Sequence, residues 1–209
     1  ETMPQNKPSV KLLKAGRLFD GRHGAVIERG ALLIEGSKIV KVGPEHQITA
    51  PEGAEITEYD FADKFVLPGL VDCHVHLTMP GDGTAVEEAM DLPDELLTLR
   101  AAHNARKALD AGTTTLREMG AKNRTTFLLR EGMRRGLAVG PRLLLSGRPL
   151  TITGGHCWMM GSEADGVEGV RREVRQLLKE GADFIKIMAT GGATRGTAPH
   201  QSSYSLEEL

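Results

Sequence analysis

From residue 9 to about residue 65 the apolar positions fall in short β-rich runs. Leu32-Leu-Ile-Glu-Gly-Ser-Lys-Ile-Val-Lys-Val42 reads as two strands joined across Gly36-Ser37, a hairpin. Glu55-Ile-Thr-Glu-Tyr-Asp-Phe61 alternates as a strand should, and Pro51 and Gly53 punctuate the link before it. From residue 66 the pattern changes. Strand-like runs at 70–77, 113–119, 142–147 and 183–189 alternate with helix-like runs near 92–110, 122–136 and 165–180. In the last helix Val167, Val170, Val174, Leu177 and Leu178 recur at spacings of three and four, an amphipathic stripe. Gly112, Gly136 and Gly181 stand where the three helices should stop. This βαβα order predicts parallel strands with right-handed crossovers, in an open sheet or a barrel.

The organisation that follows is a loose tail at 1–8, a small β domain at 9–65 and four βα units at 66–209. Ser205-Leu-Glu-Glu208 is a capping box, which predicts the start of another helix. Four βα units are half of an eight-step barrel. The chain is therefore expected to be the N-terminal portion of a longer protein, or part of a split one. The alternative is a compact half-barrel-like domain whose last turn frays.

Composition narrows the setting. The 209 residues are 40% hydrophobic and 26% charged, which suits a globular chain with room for one large domain, or a medium and a small one. A formal charge of −2 gives no pull toward nucleic acid or an anionic membrane surface. No apolar run reaches membrane-spanning length, and no signal-like segment opens the chain. Two cysteines offer no disulfide framework, so a reducing, cytoplasmic setting is expected.

The chemistry concentrates in Val66-Leu-Pro-Gly-Leu-Val-Asp-Cys-His-Val-His-Leu77. Residues i and i+2 of a strand share a face, so His74 and His76 point the same way, Asp72 with them and Cys73 away. Two imidazoles so placed can take one divalent metal. A lone His-x-His is weak evidence, and its context has to carry the weight. The second feature is Asp183-Phe-Ile-Lys-Ile-Met-Ala-Thr-Gly-Gly192, with Lys186 in the middle of an apolar strand. A charged lysine is costly to bury there, and an uncharged amine can add carbon dioxide to form a carbamate, an anion able to bridge two metals. A lysine that snorkels to the strand end or pairs with a carboxylate is the plainer alternative. Beside the His pair, the ligand reading is the stronger.

The Pro-Gly-Leu-Val-Asp-x-His-x-His run after a small β domain resembles the amidohydrolase superfamily of metal-dependent hydrolases. The resemblance spans residues 9 to 209. Gly112-Thr-Thr-Thr-Leu-Arg-Glu-Met-Gly120, the Gly-rich stretch from Thr153 to Gly166 and Phe184-Ile-Lys-Ile187 are most similar to the imidazolonepropionase-related branch, which includes Xaa-Pro dipeptidases. It implies the N-terminal half of a (β/α)8 TIM-like barrel preceded by a small β-sandwich, an α/β fold with its site at the strands' C-terminal ends. His74 and His76 match metal ligands of the first strand. Lys186 matches a fourth-strand lysine that is carboxylated and bridging in two-metal members. Asp72 would orient a ligand from behind. Two further histidines and a general-base aspartate belong to strands five to eight, outside the four units read here; His200 is not assigned to that set.

The implied activity is hydrolysis of a C–N bond, an amide or peptide bond in a small carboxylate-bearing substrate such as a dipeptide or N-acyl amino acid. A cyclic amide of imidazolone type and a non-catalytic scaffold are the alternatives. The implied cofactor is Zn2+, one or two ions. The partners expected are the small substrate, further copies of the chain and the second half of the barrel, with no nucleic acid or membrane. His156, in a Gly-rich loop, and Tyr204, in the loop after strand four, are candidate substrate contacts. Arg117 and Glu118 are expected to form an ion pair at a strand end. His103 is read as a surface or packing residue, and His23 and His46 lie in the small β domain.

Overall fold

The structure, a computed structural model, describes residues 9–22 and 24–209; the tail read at residues 1–8 and His23 lie outside the described residues. The chain divides into two units, Glu1–Pro68 and Gly69–Leu209. In the first, β1 (Ser9–Phe19), β2 (Val26–Glu35), β3 (Lys38–Pro44) and β4 (Glu55–Val66) form a sheet in the order β3-β2-β1-β4. The β2–β3 hairpin turns at Gly36, whose φ of 57° lets Glu35 pair with Lys38 across a two-residue loop. β1 pairs antiparallel with β2 and parallel with β4. Val10, Leu12, Ala31 and Leu33 are buried on one face, covered by Ile48, Ala50 and Ala54. A β-sandwich was the expectation for this unit. Among the described residues it is a single mixed sheet, because only one face is covered and β4 has no buried residue.

The second unit alternates as its hydrophobic pattern predicts. β5 (Leu70–Val75), β6 (Thr113–Glu118) and β7 (Arg142–Leu145) pair in parallel in the order β5-β6-β7. α2 (Asp94–Asp110), α3 (Thr125–Arg134) and α4 (Gly166–Glu180) occupy the three expected helical stretches, and a short α1 (Val86–Met90) was not foreseen. Leu116, Leu143 and Leu145 of the sheet pack on Ala101 and Ala105 of α2 and on Phe127 and Leu129 of α3. The small alanines let α2 lie close on the strands. α4 ends at Gly181, whose φ of 105° places its N–H on the last-turn carbonyls. Its stripe buries Val170 and Leu177, while Leu178 is exposed.

The run at 183–189 is not a continuous strand. It meets its neighbour through Asp183 N–H to Leu145 O, Leu150 N–H to Lys186 O and Met188 N–H to Leu150 O, each 2.8 Å, and one parallel bridge at Leu150–Ile187. The ladder breaks because residues 146–149 depart from β geometry: Gly147 has a φ of 70° and Pro149 lacks an N–H. The capping box also takes a different form. The Ser205 hydroxyl and N–H both donate to Glu208 Oε2 at 2.8 Å, but the segment makes only a turn, and Glu208 Oε1 accepts the Gly166 N–H at the start of α4.

Arg148, in that break, turns into the helix layer and pairs with Glu180 at 2.7 Å and Glu173 at 2.9 Å on α4. All three side chains are largely buried, so removing the cation strands two carboxylates away from water. Arg148→Ala is expected to lower the unfolding free energy by about 3–5 kcal/mol in urea titrations.

Candidate metal centre

The C-terminal end of β5 is held from two sides. Val75 lies opposite Glu118, and its carbonyl accepts the Met119 N–H at 2.9 Å. From the helix layer, Asn104 of α2 donates to the Leu77 and Met79 carbonyls at 2.8 Å each. His76 sits between these anchors. Its Nδ1 lies 2.9 Å from the Gly120 carbonyl, which can only accept, so Nδ1 carries the proton and Nε2 keeps its lone pair. The His74 and His76 rings are edge-on, with centroids 5.3 Å apart.

These two rings share a pocket of about 350 Å³ with Lys186, His156, Cys157 and Met188, among others. Burial pushes the His76 pKa down, and His74, Lys186 and His156 add to this against the opposing Gly120 carbonyl. His156 is also pushed down, by burial first and then Lys186, with Glu87 opposing. Burial pushes the Cys157 thiol up. The pocket therefore gathers nitrogen groups with uncharged imidazoles among them. Among the described residues no three His, Cys, Asp or Glu side chains converge closely enough to hold a metal. The donor chemistry nonetheless fits one side of a divalent ion: two imidazoles lining one pocket, one with its tautomer fixed, and an amine that can become a carbamate.

His156 is fastened by Thr194, a residue that sequence reasoning passed over. Its Nδ1 lies 2.7 Å from the Thr194 hydroxyl, which also accepts the Cys157 N–H at 3.0 Å. Cys157 has a φ of 60°, an uncommon conformation for a residue with a side chain, and it helps turn the loop inward. Gly192 lies against the His156 ring, where an added Cβ would meet Cδ2 at 2.6 Å. The lack of a side chain at Gly192 is what admits this close approach.

The other expectations fare differently. Asp72 is exposed and reaches His74 only through the backbone, its Oδ1 accepting the His74 N–H at 3.0 Å. Tyr204 is not brought to the pocket. It is buried with Leu150, Ala164 and Val170, and its hydroxyl donates to the Ala164 carbonyl at 3.1 Å. His200, His103 and His46 are exposed. Arg117 and Glu118 do not pair, because consecutive strand residues point to opposite faces. The Arg117 guanidinium lies 4.3 Å from the Phe184 ring centroid, a cation–π contact. Glu118 is fully buried on the other side.

A model of the amidohydrolase family matches residues 65–209, which carry every residue of this pocket. The chain belongs to the amidohydrolase family. It is 30% identical to ochratoxinase of Aspergillus niger, across 98% of this chain and 47% of that protein. It is 34% identical to imidazolonepropionase of Erwinia tasmaniensis over 59% of this chain and 33% of that one. A crystal structure of a Xaa-Pro dipeptidase with methionine bound in its active site superposes with a TM-score of 0.80 and 28% identity, covering 95% of this chain and 52% of that one. The chain spans about half the length, or less, of the curated relatives it matches. These family relatives agree with the branch indicated by the motifs around Gly120, His156 and Lys186.

Two outcomes follow for this amidohydrolase chain. Gly192→Ala should drive the His156 ring off Thr194, which a change in the His156 ring 15N resonances would report. Burial pushes the Glu118 carboxyl up to about 8, opposed by the Gly120 and Leu77 N–H groups and the Thr126 hydroxyl. The unfolded value is near 4.5, so between the two the folded chain holds a proton that the unfolded chain has released. Stability is full below pH 4.5 and declines as pH rises through about 8, by at most about 1.4 kcal/mol per pH unit. Urea midpoints from pH 5 to pH 8 should fall for the wild type relative to the non-titrating Glu118→Gln.

Proposed function

We propose that this chain carries part of the site of a metal-dependent hydrolase acting on an amide or peptide bond in a small carboxylate-bearing substrate, such as a dipeptide or N-acyl amino acid. The observation that carries the reading is the shared pocket of His74, His76 and Lys186 on an amidohydrolase frame. The ochratoxinase and Xaa-Pro dipeptidase relatives support the bond type. The imidazolonepropionase relatives keep a cyclic amide as the second reading. In this reading the second unit is the first half of a barrel whose strand ends carry the site.

His74 and His76 would hold a divalent ion, zinc by donor type, with Lys186 as amine or carbamate completing its near side. Such an ion supplies Lewis acidity, polarising the scissile carbonyl and making water a better nucleophile. The chain's own residues prepare that event. His76 presents Nε2 because Gly120 takes its Nδ1 proton. Thr194 can donate to His156 Nδ1, which puts that ring's proton on Nε2 as a donor toward a substrate carbonyl or carboxylate. Met79, Val86 and Met188 line the same pocket and limit water around the reacting carbonyl.

The full-length protein, purified without chelator, is expected to contain zinc or another divalent ion by mass spectrometry and to release amino acids from a dipeptide and N-acyl amino acid panel. His74→Ala and His76→Ala should each lower metal content and kcat/KM at least a hundredfold while leaving the far-UV spectrum unchanged. Metal-free wild-type protein, or full hydrolysis after chelation, would sink the reading.

A further inference from the structure

His156 lines two cavities: the pocket of His74 and His76, and one of about 290 Å³ that it shares with Glu87, Thr194 and Arg195. Thr194 is buried, and its hydroxyl oxygen accepts the Cys157 N–H at 3.0 Å, which leaves its proton for His156 Nδ1 at 2.7 Å. Thr194 opens a turn that closes on itself: the Thr197 N–H and hydroxyl both donate to the Thr194 carbonyl, at 3.3 and 2.6 Å. Gly192 and Gly196, with φ of 53° and 82°, flank this turn, so it joins the chain through pliable residues. Among the described residues, the hydrogen bonds that reach 193–196 from outside the 189–203 segment come from two places. One is the His156–Cys157 loop; the other is Glu87, whose Oε1 accepts the Arg195 N–H at 3.2 Å across 108 residues. Glu87 stands in the first turn of α1, whose Ala89 and Met90 are buried in one cluster with Cys157 and Met160. Arg100 and Lys122 hold the carbonyls of the same two residues. The Glu87 carboxyl is held below its ordinary range, by its own backbone N–H first and that of Arg195 next, so it is ionised and accepting at neutral pH.

We propose that Glu87 is the positioning residue for His156: by holding the Arg195 N–H it seats the Thr194 hydroxyl on Nδ1, and the ring then presents Nε2–H to the substrate. The proposal rests on the reading of His156 as a donor to the substrate. Glu87 acts through the turn and not on the reacting atoms. The short α1 thereby gains a role: it carries the anchor that joins the loop after β5 to the loop that fixes His156. A glutamine at this position keeps an acceptor oxygen for the one N–H, and an alanine keeps none.

The test uses full-length protein labelled with 15N-histidine and measured at about pH 8, above the pKa of a free imidazole. The His156 ring signals are assigned by their loss in His156→Gln. Wild type should show His156 as a single tautomer protonated at Nε2. Glu87→Ala should turn it into a mixture of tautomers, and Glu87→Gln should keep the wild-type form. Thr194→Val, which lacks the hydroxyl, should give the mixture by itself, and Glu87→Ala added to it should change nothing further. His76 should keep its Nδ1 proton in every variant. Wild-type signals in Glu87→Ala overturn the proposal, as does a mixture already present in wild type. An equal loss in Glu87→Gln, a further change in the double variant or a matching change at His76 overturns it as well. If His156→Gln hydrolyses the dipeptide and N-acyl amino acid panel as wild type does, the donor reading fails, while the tautomer measurement still decides the link from Glu87 to His156.

Discussion

The hydrogen bond from His76 Nδ1 to the Gly120 carbonyl joins the ends of the first two parallel strands of the second unit just beyond their ladder. It ties a side chain to a backbone group 44 residues away, so the ring inherits its position from the sheet rather than from its own loop. It also fixes the tautomer, and a ring with Nδ1 protonated has one nitrogen left for chemistry. His74 has no comparable tie and is more exposed. The pocket is organised around the better-held of its two imidazoles.

The helix layer extends the same control to the loop that follows. Asn104 holds the Leu77 and Met79 carbonyls, Arg100 those of Thr78 and Ala89, and Lys122 those of Met90 and Leu92. The backbone from residue 77 to 92 has almost no ladder partners, and long polar side chains from α2 and the loop before α3 take its carbonyls instead. The loop's shape is thus encoded in the helices behind it, as expected where buried backbone groups must find partners.

The periodicity of the chain was a sound guide to the hairpin, the three parallel strands and α2 to α4: β6, β7, α2 and α4 bury one face at a regular spacing, while β5 and most of β3 stay exposed and show in their β-rich composition instead. It failed where regular geometry fails. The run at 183–189 is as apolar as a strand, yet Gly147 and Pro149 in its neighbour deny it a ladder. Tyr204 lay in the right loop, but its ring faces an apolar cluster, and loop residues carry no face rule. His74, His76 and Lys186 line one pocket, and the His-x-His spacing and a lysine in an apolar run are what pointed to them. Thr194, Cys157 and the Gly120 carbonyl were not legible, since each acts through a backbone turn or a hydroxyl with no characteristic spacing. Glu118 could be placed on its strand, while its burial depended on α3 packing over it.

The broken ladder beside Lys186 gives the pocket two walls of unequal stiffness. The His76 wall belongs to a three-stranded parallel sheet packed on α2 and α3, whose β5–β6 register slips between Asp72 and Val75. The Lys186 wall is pinned at Asp183 and by the bridge of Leu150 to Lys186, Ile187 and Met188, with residues 184 and 185 unpaired between. Local opening is cheapest where backbone hydrogen bonds are sparse, so amides around Lys186 exchange with solvent through smaller excursions than those around Val75. A pocket built this way keeps one face as a fixed reference and lets the other adjust to what enters.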